Sequence, residues 1–346
     1  RDTDRSRGLG DVYKRQKLIH NWQEQSFYTM KHFLINAFIL LSISIMTTSC
    51  SPKVEMIPAE LAYQAEATTG EGSIWHPERH TLFWVDIEGQ TLYEYHPDTK
   101  ECSSWKFDRM VSTVVPETDS TVIIALQDEI VRVNLHDGHT TSIAPIPDEN
   151  GKVRCNDGKC DPAGHLWVGT MGFGAPKGAG TLYTVSPAGT VTTKLKKVTI
   201  SNGIVWSSNK KFMYYNDTPT GKIARYRYDA DNGDILFDGI AVTLPGGTGV
   251  PDGMAIDSDD HLWVAQWGGY GVYCYNPYTG ELLAKVEVPA PNVASCAFGG
   301  KKMDTLYITT ARAGLSEEQL REYPLSGSVF CCKPGVKGIR ANCFGE

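Results

Sequence analysis

Five stretches of the chain repeat one pattern of polar and apolar positions. Each has a small polar or acidic residue, usually a glycine next, a short apolar run, a turn, and then a strand of the Leu-Trp-Val type. The copies begin at Glu71, Asn156, Asn202, Asp252 and Ser295, and a weaker copy occupies 112–126. Their second strands open near Leu82, Val122, Leu166, Phe212, Leu262 and Leu306, at intervals of 40 to 50 residues. A period in the forties, built from apolar strands and turn residues, predicts a β-propeller. One copy forms a small sheet that cannot bury both faces alone, so copies stack radially. Six copies predict an all-β, six-bladed β-propeller over 60–346. Third strands such as Thr91-Leu92-Tyr93-Glu94-Tyr95 alternate as half-buried strands do. A single short helix is expected over 316–321, capped by Ser316, with Glu317 and Glu318 in its first turn.

The first fifty residues break this pattern. Asp11-Val12-Tyr13-Lys14-Arg15-Gln16 resembles a translated sequencing adapter, so 1–29 are expected to be non-native or upstream sequence. Met30 and Lys31 then precede a mostly apolar run over 33–46. Fourteen residues are too few for a helix across a bilayer, which needs roughly 20, and suit a signal-peptide core. The run ends in Thr47-Thr48-Ser49-Cys50, small residues before a cysteine, as at a bacterial lipoprotein processing site. The expectation is a lipoprotein signal over 30–49, a lipid on Cys50 and a tether over 50–59. Localisation would then be the bacterial cell envelope, periplasmic and anchored at the outer membrane. Thr47 departs from the usual leucine of such sites.

Composition narrows the function. Acidic residues outnumber basic ones 40 to 33, a formal charge of -7, so no nucleic-acid partner is expected. No CxxC pair occurs among the nine cysteines, which argues against zinc-ribbon and thioredoxin-like chemistry. GxSxG, GxGxxG, P-loop and HExxH motifs are absent. His76 and His80 have a ligand-like spacing only on a helix, and Pro77 makes a turn there, so both are expected in solvent.

The repeat register points to a site. Glu71 lies 11 residues before Leu82, while Asn156, Asn202 and Asp252 each lie 10 before their own second strand. Equal register in a propeller means equal place in the blade, so these four side chains converge on the central channel. Two carboxylates and two amides form an all-oxygen cage suited to calcium, magnesium or manganese. Without an ion, Glu71 and Asp252 would repel, and one would hold a proton. Gly72, Gly203 and Gly253 let the backbone bend and approach closely. Arg154 should share the face of Asn156, because strand side chains repeat every two residues. Trp267 and Tyr270 could form a stacking wall or pack in the core.

Gly70-Glu71-Gly72-Ser73, Arg154-Cys155-Asn156-Asp157-Gly158-Lys159, Gly169-Thr170-Met171, Ile200-Ser201-Asn202-Gly203 and Pro251-Asp252-Gly253-Met254 carry a further resemblance. Over about 60–346 the chain resembles the gluconolactonase / senescence marker protein (regucalcin) family of six-bladed propellers. The resemblance implies Glu71, Asn202 and Asp252 as metal ligands. It implies Arg154, Asn156 and Asp157 as substrate- and water-contacting positions, with metal ligation the alternative for Asn156. The acid that often follows Gly-Thr-Met in aldonolactone-opening members is missing from Gly172-Phe173-Gly174-Ala175. The expected activity is opening of a sugar lactone to its aldonic acid, with one divalent metal ion, calcium first and magnesium, manganese or zinc as alternatives. Asp252, or Asp157 through a water, would take the proton, and Arg154 would steady the oxyanion. The rival expectations are a hydrolase of other esters or phosphotriesters, and a non-catalytic envelope propeller binding glycan or protein.

Overall fold

A computed structural model of the chain describes residues 29–31, 54–148 and 151–346. The expected lipid site at Cys50 and most of the expected leader lie outside the described residues. No helix among the described residues is long and apolar enough to cross a membrane.

From residue 54 onward, two short strands come first, β1 (Glu55–Pro58) and β2 (Glu60–Tyr63). The first blade follows, with β3 (Gly70–His76), β4 (Thr81–Asp86), β5 (Thr91–His96) and β6 (Glu101–Lys106). The second has β7 (Val111–Pro116), β8 (Thr121–Leu126), β9 (Glu129–Asn134) and β10 (Thr140–Pro145). The third has β11 (Val153–Cys160), β12 (Leu166–Gly172), β13 (Gly180–Val185) and β14 (Val191–Val198). The fourth has β15 (Ser201–Trp206), β16 (Phe212–Asp217), β17 (Lys222–Tyr228) and β18 (Ile235–Thr243). Each of these is a separate four-stranded antiparallel sheet, and the fold is an all-β, propeller-like one.

The remaining strands are β19 (Val250–Ile256), β20 (Leu262–Trp267), β21 (Gly271–Tyr275), β22 (Leu282–Glu287), β23 (Asn292–Gly299), β24 (Thr305–Ala311) and β25 (Val329–Cys332). They form one nine-stranded sheet together with β1 and β2. Within it, β20 and β23 meet only at the pair Trp267 and Asn292. The opening strands close this sheet: β2 pairs antiparallel with β25, and β1 runs parallel to β22. Residues 55–58, expected as tether, are therefore strand. Between β24 and β25 sits helix α1 (Glu317–Glu322), where Ser316 accepts from the Gln319 backbone and the Gln319 side chain returns the bond.

Burial follows radial position. Strands β3, β7, β15 and β23 are buried along their whole length, because they face other strands on every side. The outer strand β6 has no buried residue. Two blades carry the same internal lock. Asp161 accepts from the backbone of Ala163 and His165 and from the Trp167 indole, at 2.8 to 3.0 Å. Asp257 does the same with Asp259, His261 and Trp263, at 2.9 Å each. His76 is not in solvent as expected. It is 1% exposed, and its Nε2 lies 2.9 Å from the Thr118 carbonyl in the neighbouring blade.

The chain end crosses one end of the innermost strands. Its backbone bonds Met303 and Ser258, and the Asn342 amide and Phe344 N–H bond Cys160 and Pro116, all at 2.8 to 3.0 Å. Beneath it lies a small cavity of about 80 Å³, lined by Ser73, Lys159, Phe298 and residues 339–342.

Candidate active site

At the opposite end of the innermost strands is a cavity of about 340 Å³. Glu71, Arg154, Asn156, Asn202 and Asp252 all line it. They come from four different inner strands, β3, β11, β15 and β19. Asp157 is also buried and lies below the floor, close enough for its charge to act on both Glu71 and Asp252.

A local device aims these side chains. Each of the four strands has a register shift at the site, between Glu71 and Ile74, Cys155 and Gly158, Asn202 and Ile204, and Pro251 and Met254. A bulge inserts residues with no cross-strand partner and turns a side chain out of the pleat. Gly72 serves its bulge with a φ of 61°. A side chain at Gly203 would come within 2.6 Å of the Asp252 carbonyl oxygen, so only glycine lets these strands pack.

The carboxyls of Glu71 and Asp252 line the same cavity, close enough to act on each other's pKa. Burial and the Asp157 charge push the Glu71 carboxyl up to about 8. Burial, then Glu71 and Asp157, push Asp252 well above the carboxylate range. The pair therefore holds a proton at neutral pH when no cation lies between them. The buried Oδ1 of Asp252 has no hydrogen-bond partner among the described residues.

The amides are held in fixed orientation. Asn202 Nδ2 donates to Thr218 Oγ1 at 2.8 Å, and Asn202 Oδ1 accepts from Asn156 Nδ2 at 2.8 Å. Asn156 Nδ2 also reaches the Ser201 carbonyl at 2.7 Å. Its Oδ1 accepts from Arg154 at 2.6 Å, so Arg154 pairs with Asn156 rather than with Asp157. Asn216 and Thr218 donate to the carbonyls of Asp252 and Pro251, both at 2.8 Å, and so fix the backbone of β19. Burial lowers the Arg154 guanidinium pKa, and the carboxylates of Glu88 and Glu71 oppose that. Lys159 stands below Asp157, with burial lowering its pKa and Asp157 countering.

The donor set of Glu71, Asn202 and Asp252 suits a hard divalent ion. These residues are buried and oriented, Asp252 Oδ1 lacks a donor, and a doubly charged ion would remove the repulsion that now binds a proton. A second group, Asp257, His261 and Cys274, lies within 4.8 Å of one another. It fits a cation poorly. The Asp257 oxygens are spent on the blade lock, and burial pushes the Cys274 thiol far up. The matching lock at Asp161 puts Thr184 where Cys274 stands, opposite the tryptophan.

Residues 69–312 match the SMP-30/Gluconolactonase/LRE-like region. The chain belongs to this family. It is 36% identical over 282 residues to a Bacillus subtilis protein named sugar lactone lactonase YvrE, covering 82% of this chain and 97% of that one. It is 33% identical over 286 residues to regucalcin of Danio rerio, covering 82% and 97%. Among solved structures, regucalcin from Agrobacterium tumefaciens, described as a calcium-binding protein, superposes with a TM-score of 0.79 at 28% identity, covering 84% and 99%. Family membership supports lactone hydrolase activity for the chain.

Four neighbours of the site have no signal in the repeat. Glu88 lies in the loop after β4, Asn216 and Thr218 at the end of β16, and Lys159 on the far side of Asp157. Trp267 lines the cavity. Tyr270 does not, and packs on Tyr323 with ring centres 5.4 Å apart.

Proposed function

We propose that the protein is a divalent-metal-dependent hydrolase that opens a sugar lactone to its aldonic acid. The reading rests on one observation. Two buried carboxyls from β3 and β19 line one cavity beside an oriented amide, and Asp252 Oδ1 has no hydrogen-bond partner among the described residues. Glu71, Asn202 and Asp252 would hold the ion, calcium first, with magnesium, manganese or zinc as alternatives. When bound, the ion supplies a Lewis acid for the lactone carbonyl and lowers the pKa of a nearby water.

The chain's own groups do the rest. Asp252 takes the proton of the attacking water and returns it to the ring oxygen as the carbonyl carbon–ring oxygen bond breaks. Asp157 lies under the floor, where burial raises its pKa and Lys159 and the Gly158 N–H oppose the rise. Arg154, fixed against Asn156, holds substrate hydroxyls and steadies the developing oxyanion. In this reading the nine-stranded sheet counts as two blades, β19–β22 and β23–β25 with β2, making six in all. Cys50 is its lipid anchor at the bacterial envelope, and labelled palmitate incorporation that survives Cys50→Ala would rule that out.

The test is a pH-stat assay of an aldonolactone panel after EDTA treatment, with metal add-back. Loss and recovery of turnover are expected. Full activity after exhaustive chelation overturns the proposal.

A further inference from the structure

The walls of the active-site cavity are chemically unlike its floor. Above the carboxyls and amides stand Ile87, Met171, Ile200, Val250, Trp267 and Ala313. They come from the ends of several strands and their loops, so an apolar lining surrounds much of the entrance. The apolar character continues outward. Val250 is 38% exposed, Phe173 follows Met171 by two residues and is 45% exposed, and Tyr270 follows Trp267 by three and is 39% exposed. The loop that carries Phe173, Gly172-Phe173-Gly174-Ala175, has no acid or amide.

A polyhydroxylated ring needs partners for each hydroxyl it buries, because a buried hydroxyl without one loses its water bonds uncompensated. Apart from the Arg154 donors that serve the ester end of the substrate on the floor, the polar groups here are largely committed. Thr218 accepts from Asn202 and donates to Pro251. Arg154 spends Nη1 on Asn156 and on the Cys155 carbonyl. Glu88 is exposed and sits at one side. An apolar arm needs no such partners, and it gains from covering the six wall residues.

Building on the lactonase reading, we infer that the site selects a lactone whose exocyclic arm is apolar, an alkyl-bearing or deoxygenated lactone, over one with a full set of hydroxyls. The ester group sits on the polar floor, and the arm lies along Ile200, Val250 and Trp267 toward the mouth.

The experiment uses the metal-loaded protein and six-membered lactones whose exocyclic arm is methyl, propyl or pentyl, with glucono-1,5-lactone alongside. The expected result is a rise in kcat/KM of about fourfold per methylene, the equivalent of roughly 0.8 kcal/mol each, until the wall is covered. The pentyl lactone should then exceed the gluconolactone. Val250→Asn and Met171→Asn, both at partly exposed wall positions, should flatten this slope. The wild-type series stands by itself if either variant fails to fold. A flat or falling series with gluconolactone preferred overturns the inference and leaves the lactonase reading in place. Absence of turnover for every lactone, with metal added back, overturns the lactonase reading itself.

Discussion

Glu71 and Asp252 stand 181 residues apart in the chain, yet their buried carboxyls line one cavity, close enough to act on each other's pKa. The pair is costly unless a proton or a cation lies between the two groups. Substituting Asp252→Ala removes both a ligand and the base. Lactone turnover should fall at least about 100-fold, and calorimetric titration should show divalent binding lost with it. Full activity with intact metal binding would exclude this arrangement.

Glu71→Gln separates stability from function. It keeps the shape and one oxygen but removes a charge. The metal-free variant should melt higher than the parent at pH 8, and it should bind the divalent ion more weakly. A lower melting temperature in the metal-free state would count against a carboxyl pair held together by a proton.

The pair also sets a pH dependence. Glu71 titrates near 8 in the folded chain and near the ordinary carboxylate value when unfolded. The folded state therefore binds the extra proton between those values, and the metal-free protein loses stability as pH rises from about 4.5 to about 8. The slope has an upper bound of about 1.4 kcal/mol per pH unit from this group. Saturating divalent ion should flatten it, because the ion replaces the proton. Thermal melts at fixed ionic strength, with EDTA and with metal, measure both curves.

Thr218 lines the cavity without a hydrogen bond to either carboxyl. It orients Asn202 and holds the Pro251 carbonyl. Thr218→Val should weaken metal binding by about 10- to 100-fold while lactone KM at saturating metal changes little. An unchanged metal affinity would make the Thr218 bond irrelevant to the site.

Arg154→Lys tests the guanidinium. Lysine keeps the charge but cannot hold the same planar contacts with Asn156 and the Cys155 carbonyl. Turnover should drop by about 100-fold with metal affinity nearly retained. Equal loss of both would place Arg154 in the scaffold of the ion site instead.

The blade repeat was legible because its signal is local. Apolar strands separated by turn residues recur at intervals of 40 to 50, and burial of a sheet face demands that spacing. The same register placed Glu71, Asn156, Asn202 and Asp252 at one level, since equal offset from a blade's second strand fixes height along the channel. Helix α1 was equally local, with its cap and acidic first turn written in Ser316, Glu317 and Glu318. His76 was misread because the turn at Pro77 says nothing about the neighbouring blade, whose Thr118 carbonyl takes its imidazole.

What the amino-acid order determined by itself was the strand period, the turn chemistry and the level of the oxygen-bearing residues. The tertiary structure alone decided the rest. It closed the last sheet with β1 and β2, added a bulge at each site strand, and brought Asn216, Thr218, Glu88 and Lys159 to positions no spacing predicts. The reason is physical: a repeat encodes how each sheet buries its faces, whereas these contacts run between sheets and exist only once the blades pack around one axis.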